Sequence, residues 1–152
     1  MKLLAKLLAD NRAAPLRRFE VKAAASADAV DVFLYDAIVD DQATAEFLGG
    51  VAPETFVKAL ADIKAGTINL RINSPGGSVF GARAIEQALR EHPAHVVAHV
   101  DGLAASAATF IAMAADEVVM NKGALFMVHK AWTIAFGNSD DLLSTADLLD
   151  KI

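Results

Sequence analysis

Apolar residues recur along this chain in two rhythms, and the switches between them mark out strands and helices. Val30, Val32 and Leu34 alternate with Asp31 and Phe33, which predicts a strand over 30–39. A short strand is also expected near 19–22. Residues 40–51, with Gly49-Gly50, read as a loop with a helical turn. Pro53 and Glu54 then open a helix to about Lys64, with Phe56, Val57, Leu60 and Ile63 on one face and Gly66 as its stop. Thr67 to Ile72 is a further strand, and Asn73-Ser74-Pro75-Gly76-Gly77 a tight turn. The helical period returns over 78–91, where Val79, Ala82, Ile85 and Leu89 are in register until Pro93 breaks the run.

Val96 to Val100 predicts the next strand, and Phe110 to Ala115 a helix after it. Two short strands are expected at 117–120 and 125–128, joined by a hairpin-type turn at Asn121-Lys122-Gly123. A last helix runs from Asp140 to Ile152, with Ser139 as its cap and acids in its first turn. Strands alternating with helices predict an α/β domain with a mainly parallel sheet. Residues 1–29 read as an N-terminal arm and 30–152 as the single folded domain. Within the arm, Leu3, Leu4, Leu7 and Leu8 form one stripe of a short amphipathic helix.

Composition narrows the chemistry. The chain has 152 residues, 55% of them apolar, enough for one well-formed core. A net charge of −5 argues against nucleic acid or an anionic membrane surface as partner. With no cysteine, a thiol nucleophile, a disulfide framework and a cysteine zinc site are excluded. No apolar run approaches the ~20 residues of a membrane span. The N-terminal leucines resemble a signal peptide, but Lys6 interrupts them and Asp10, Arg12, Arg17 and Arg18 follow, so a cytoplasmic location is expected.

Three stretches carry candidate chemistry. In the first, Asp101-Gly102-Leu103-Ala104-Ala105-Ser106-Ala107-Ala108, a single hydroxyl stands between a strand and a helix, walled by residues with almost no side chain. Such a turn presents Ser106 where helix N–H groups favour a developing negative charge. By itself, a serine there is more often a cap. The second is Ile72-Asn73-Ser74-Pro75-Gly76-Gly77-Ser78-Val79, whose glycines let bare backbone N–H groups face an oxyanion or an extended peptide. An ordinary turn is its plainer account. The third, Phe126-Met127-Val128-His129, ends an apolar strand with an imidazole. Together they supply a nucleophile, a base and preorganised donors, the set that acyl transfer requires.

These three motifs, in this order, resemble the ClpP-type serine peptidases, and among them the phage and prophage relatives that act in head maturation. The resemblance covers roughly 30–152. It implies a ClpP/crotonase-like spiral of β-β-α units and assembly into homo-oligomeric rings, often two stacked heptamers. The implied substrate is polypeptide, with no cofactor and no metal, and an ATP-dependent unfoldase is a further partner of such rings. Carried over by motif, Ser106 is the nucleophile and His129 its general base. The N–H groups of Gly77 and Ala107 form the oxyanion hole, and Gly76, Ser78 and Val79 line a groove where a substrate strand adds. Trp132 either shapes a substrate pocket or belongs to the core.

One departure matters. The triad acid of that family lies well beyond its histidine, past the handle helix, and this chain stops at Ile152, inside what should be the handle. Asp140, Asp141, Asp147 and Asp150 belong to the helix start and the handle, so the resemblance leaves either a truncated form or an incomplete triad. Loss of the acid costs about 10⁴ in rate. Two other classes therefore stand beside the peptidase: a non-catalytic ring scaffold, and a crotonase-like acyl-CoA enzyme on the same fold. A membrane-associated signal-peptide peptidase, with the same Ser-Pro-Gly-Gly turn but a lysine base, is weaker. His92, His95 and His99 suggest zinc by spacing alone, yet imidazoles on a partly exposed strand account for them better.

Overall fold

The computed structural model describes residues 19–23 and 28–152; the leucine stripe expected at 3–8 lies outside them. Among the described residues six strands are formed: β1 (Glu20–Ala23), β2 (Ala29–Leu34), β3 (Thr67–Ser74), β4 (His95–Ala105), β5 (Glu117–Met120) and β6 (Leu125–Met127). The helices are α1 (Gln42–Leu48), α2 (Pro53–Ala61), α3 (Val79–Glu91), α4 (Ala108–Ala112) and α5 (Ser139–Leu149). The sheet runs β1-β2-β3-β4-β5, with β6 also on β4. Only β1 is antiparallel to its neighbour. This is the mixed α/β architecture that the alternating rhythms predict.

Strand periodicity decides which face is buried. Ile68, Leu70 and Ile72 of β3 and Val96, Ala98 and Val100 of β4 share one core with Phe56 and Leu60 of α2, Ile85 and Leu89 of α3, and Ile111 of α4. Phe56 is fully enclosed, so Phe56→Ala is expected to destabilise the fold by about 3–5 kcal/mol. Urea unfolding at constant m-value reads this directly, and a loss below about 1 kcal/mol would contradict the packing described.

The opposite sheet face is polar. The Asp101 carboxylate accepts Arg71 Nε and Nη2 at 2.8 and 2.5 Å, Tyr35 Oη at 2.5 Å and Asn121 Nδ2 at 2.7 Å. One residue thus ties the exit of β2 and the strand β3 to the end of β5. Burial, then the Asp101 carboxylate, raises the Tyr35 phenol above its ordinary pKa. Burial works to lower that of Arg71, but the hydrogen bond and charge of Asp101 together with Tyr35 outweigh it, and the net shift is upward.

Several expectations need correction. Residues 42–48 form a helix rather than a loop, because Asp41 caps it by accepting the Thr44 N–H at 2.7 Å and Gly49 ends it at φ 86°. The helix from Pro53 stops at Ala61; Gly66 instead donates its N–H to Asp28 Oδ1 at 2.9 Å. The strand before Ser106 continues to Ala105, and the following helix starts at Ala108.

Residues 121–124 do not make a hairpin. Strand β5 runs parallel to Val97–Val100, and β6 runs parallel to Leu103–Ala105 in the same direction. The turn is a detour in one interrupted edge line. Finally, α5 is capped by Asn138, not Ser139, in a reciprocal capping box with Asp141.

Candidate active site

Ser106 occupies the turn between β4 and α4 at φ 52°, the one non-glycine residue of positive φ among those described. That conformation costs about 1–3 kcal/mol and persists only where the surroundings impose it. Here they do so from both sides. The Ser106 N–H donates to the Met127 carbonyl at 2.8 Å, and the Ser106 carbonyl accepts the Thr109 N–H at 2.9 Å and its hydroxyl at 2.5 Å. Helix α4 has Ala107 as its N-cap and no side-chain cap bond. The Ser106 hydroxyl therefore does not serve as a cap.

The glycine turn closes on this serine. A β-carbon built on Gly76 would collide with the Ala105 carbonyl and stand 2.8 Å from the Ala107 nitrogen and 2.9 Å from Ser106 Cβ. Glycine is required there for contact as well as for its φ of 86°. The turn is also paired with the chain's own Ile38: Ile38 N–H donates to the Gly76 carbonyl at 2.8 Å, and Ser78 N–H donates to the Ile38 carbonyl at 2.9 Å. All peptide bonds described are trans. Because C=O and N–H point oppositely across a trans peptide, a Gly76 carbonyl facing Ile38 turns the Gly77 N–H the other way.

Gly77 also lines a cleft of about 760 Å³ whose walls include Gly76, Ser78, Val79, Ser106, His129 and Trp132. Of the site candidates named from the sequence, all but Ala107 are thus brought to one cavity. Ala107 lies behind it, buried, beside Gly76. Among the described residues, none of the loop hydrogen bonds uses the N–H of Gly77 or Ala107.

Of the groove residues, Gly76 and Ser78 have already committed main-chain groups to Ile38. Ser78 also caps α3 by accepting the Gly81 N–H at 3.0 Å, while its hydroxyl donates to Asp40. Trp132 is 72% exposed, a wall of the cleft and not a core residue.

Strand β6 ends at Met127, and two residues later His129 projects to the cleft wall. Among the described residues, no hydrogen bond joins His129 to Ser106 and no carboxylate is bonded to His129. Asp141 accepts the Asn138 N–H at 3.0 Å in the α5 cap, and the Asp140 N–H is held by the Asn138 side chain at 2.9 Å. The other histidines are scattered: His92 Nδ1 accepts the Ala94 N–H at 3.1 Å, and His95 Nδ1 lies 3.4 Å from Asp116. Among the described residues no cluster of three His, Cys, Asp or Glu side chains could hold a metal ion.

Three contributors escaped the sequence reading. Ile38 pairs the glycine turn, Thr109 locks the Ser106 carbonyl, and Ser74 reaches Gly76 from a fully buried position. Only Thr109 carried a local signal, three residues beyond the serine.

Known proteins are similar to this chain in fold or in part of its sequence. A mutant ClpP1 from Listeria monocytogenes has the same fold, with a TM-score of 0.63 and 21% identity over 80% of this chain and 64% of that one. The uncharacterized protein MJ0137 of Methanocaldococcus jannaschii is 43% identical over 58 residues, 38% of this chain and 20% of that protein. A Na(+)/H(+) antiporter NhaA of Brucella abortus is 36% identical over 72 residues, 45% of this chain and 10% of that protein. The chain therefore spans less than two thirds of the length of each. The Clp protease family pattern is matched from residue 24 to residue 152, and the chain belongs to the Clp protease family.

Proposed function

We propose that this chain carries the catalytic site of a ClpP-type serine endopeptidase, with Ser106 as nucleophile and His129 as general base. The observation that carries the reading is the strained Ser106 at φ 52°, on the wall of one cleft with His129 and Gly77. As Ser106 Oγ attacks a peptide carbonyl carbon, His129 takes its proton. The resulting oxyanion is held by the N–H groups of Gly77 and Ala107. Collapse expels the amine, which receives the proton from His129, and water then releases the acyl group by the reverse roles. Apolar walls from Val79, Trp132 and Ile134 suit a polypeptide with a bulky apolar side chain near the cut.

Assembly into a homo-oligomeric ring is part of the same reading. It is supported by the family and by exposed apolar residues such as Leu125, Val128, Ile134 and Phe136, the last 91% exposed. Processing of phage head proteins, and delivery by an ATP-dependent unfoldase, rest on the motif resemblance alone. No helix among the described residues is long and apolar enough to cross a membrane.

The absence of a carboxylate on His129 among the described residues favours a second reading, a non-catalytic ring protein of the same fold. Intact-mass labelling with a fluorophosphonate separates the two, with Ser106→Ala as control and native mass recorded on the same sample. A single adduct lost in the variant is expected. A ring-sized particle that takes no adduct would favour the second reading.

A further inference from the structure

We infer that Ser74 is a positioning residue for the oxyanion donor, its hydroxyl fixing the Pro75–Gly76 peptide so that Gly77 keeps its N–H toward the cleft. The inference rests on the reading of Gly77 given above and adds a residue to it. Ser74 ends β3 and has no exposed surface. Its Oγ lies 2.7 Å from the Asp36 carbonyl oxygen and 3.1 Å from the Gly76 nitrogen. A carbonyl only accepts and an amide N–H only donates, so the hydroxyl proton goes to Asp36 and a lone pair receives the Gly76 N–H.

The turn needs such a tether. Gly76 and Gly77, at φ 86° and 139°, have no side chain to restrict their backbones and contribute little stiffness of their own. Two successive peptide planes must be held for the Gly77 N–H to keep its direction. The Gly76–Gly77 plane is held through its carbonyl by Ile38 N–H, a backbone contact that most substitutions leave alone. The plane before it is held by Ser74 Oγ. Among the described residues Ser74 supplies the one side-chain hydrogen bond to Gly76 or Gly77, and it anchors that bond on the segment leading to Ile38. The hydroxyl therefore couples both clamps. Alanine at 74 would leave a buried N–H and a half-buried carbonyl without their partner, and the turn would relax toward other ways of pairing them.

The test uses the full chain with Ser74→Ala and, as a variant of nearly the same shape but weaker hydrogen bonding, Ser74→Cys. Two readouts are taken: the rate constant of Ser106 phosphonylation at saturating fluorophosphonate, and amide hydrogen exchange at Gly76. Ser74→Ala is expected to slow phosphonylation about 10- to 100-fold, short of the 10²–10³ lost when an oxyanion donor is removed outright. Half-saturation should be nearly unchanged, and Gly76 exchange should accelerate about tenfold or more. Ser74→Cys should fall between it and the parent.

An unchanged rate with a protected Gly76 amide overturns the inference. So does a rate loss that merely follows the folded fraction. Should Ser74→Ala not fold, the cysteine variant decides on the same criteria. Should the parent chain take no probe, the assignment of Ser106 fails, and Gly76 exchange in the variants still decides whether Ser74 holds the turn.

Discussion

Replacing His129 with alanine is expected to slow acylation of Ser106, and any peptide turnover, by about 10⁴- to 10⁶-fold, the scale on which serine peptidases lose rate when their base is removed. At the end of β6 the imidazole is exposed, lies on the wall of the cleft that contains Ser106, and makes no hydrogen bond that the fold depends on among the described residues. Its removal should therefore leave stability within about 0.5 kcal/mol, as for other surface positions. The separation of these two effects makes the experiment informative. A rate within tenfold of the parent would show that another group takes the Ser106 proton. Thermal unfolding of the same samples guards against a fold defect.

A different balance is expected for Gly76→Ala, which should abolish labelling at Ser106 and also lower stability by about 2–5 kcal/mol. The left-handed backbone costs an alanine about 1–2 kcal/mol. The new methyl must also displace the Ala105 carbonyl and crowd Ser106 and the Ala107 nitrogen, and such overpacking adds about 1–3 kcal/mol. Gly123→Ala is the control. Its φ of 88° matches that of Gly76, but a β-carbon there meets nothing within 4 Å. The two share the backbone strain, and only Gly76→Ala has the collision. Equal stability losses and equal labelling would mean that the glycine turn does not press on the serine as described.

The residues that sequence reading singled out and the fold brings to one cleft are those whose surroundings are written within a few positions of them. Ser106 follows an apolar run and precedes a helix, His129 ends another such run, and two adjacent glycines separate a strand from a helix cap. What was missed depends on partners far along the chain. Ser74 reads as a turn residue because its acceptor, Asp36, is 38 positions away. The turn at 121–124 has the local chemistry of a chain reversal, and only pairing of both flanking strands with β4 makes it a detour. Helix α1 buries no residue, so it offered no apolar stripe; Asp41 and Gly49 were its only marks. The cap of α5 moved by one residue because Asn138 could reach two N–H groups at once.

That interrupted edge line divides the two chemical groups between regions of unequal permanence. Ser106 directly follows β4, an internal strand of the sheet, whereas His129 follows a three-residue edge strand whose residues are all exposed. The two regions are joined at this point by the bond from Ser106 N–H to the Met127 carbonyl and the short ladder beside it. Local opening of such an edge requires far less free energy than unfolding the core. Fraying of a few residues would draw the His129 imidazole away from a Ser106 hydroxyl that stays where it was. On the proposed reading of Ser106 and His129, competence and foldedness then obey separate equilibria, and the weaker of the two would set the conditions under which the site works.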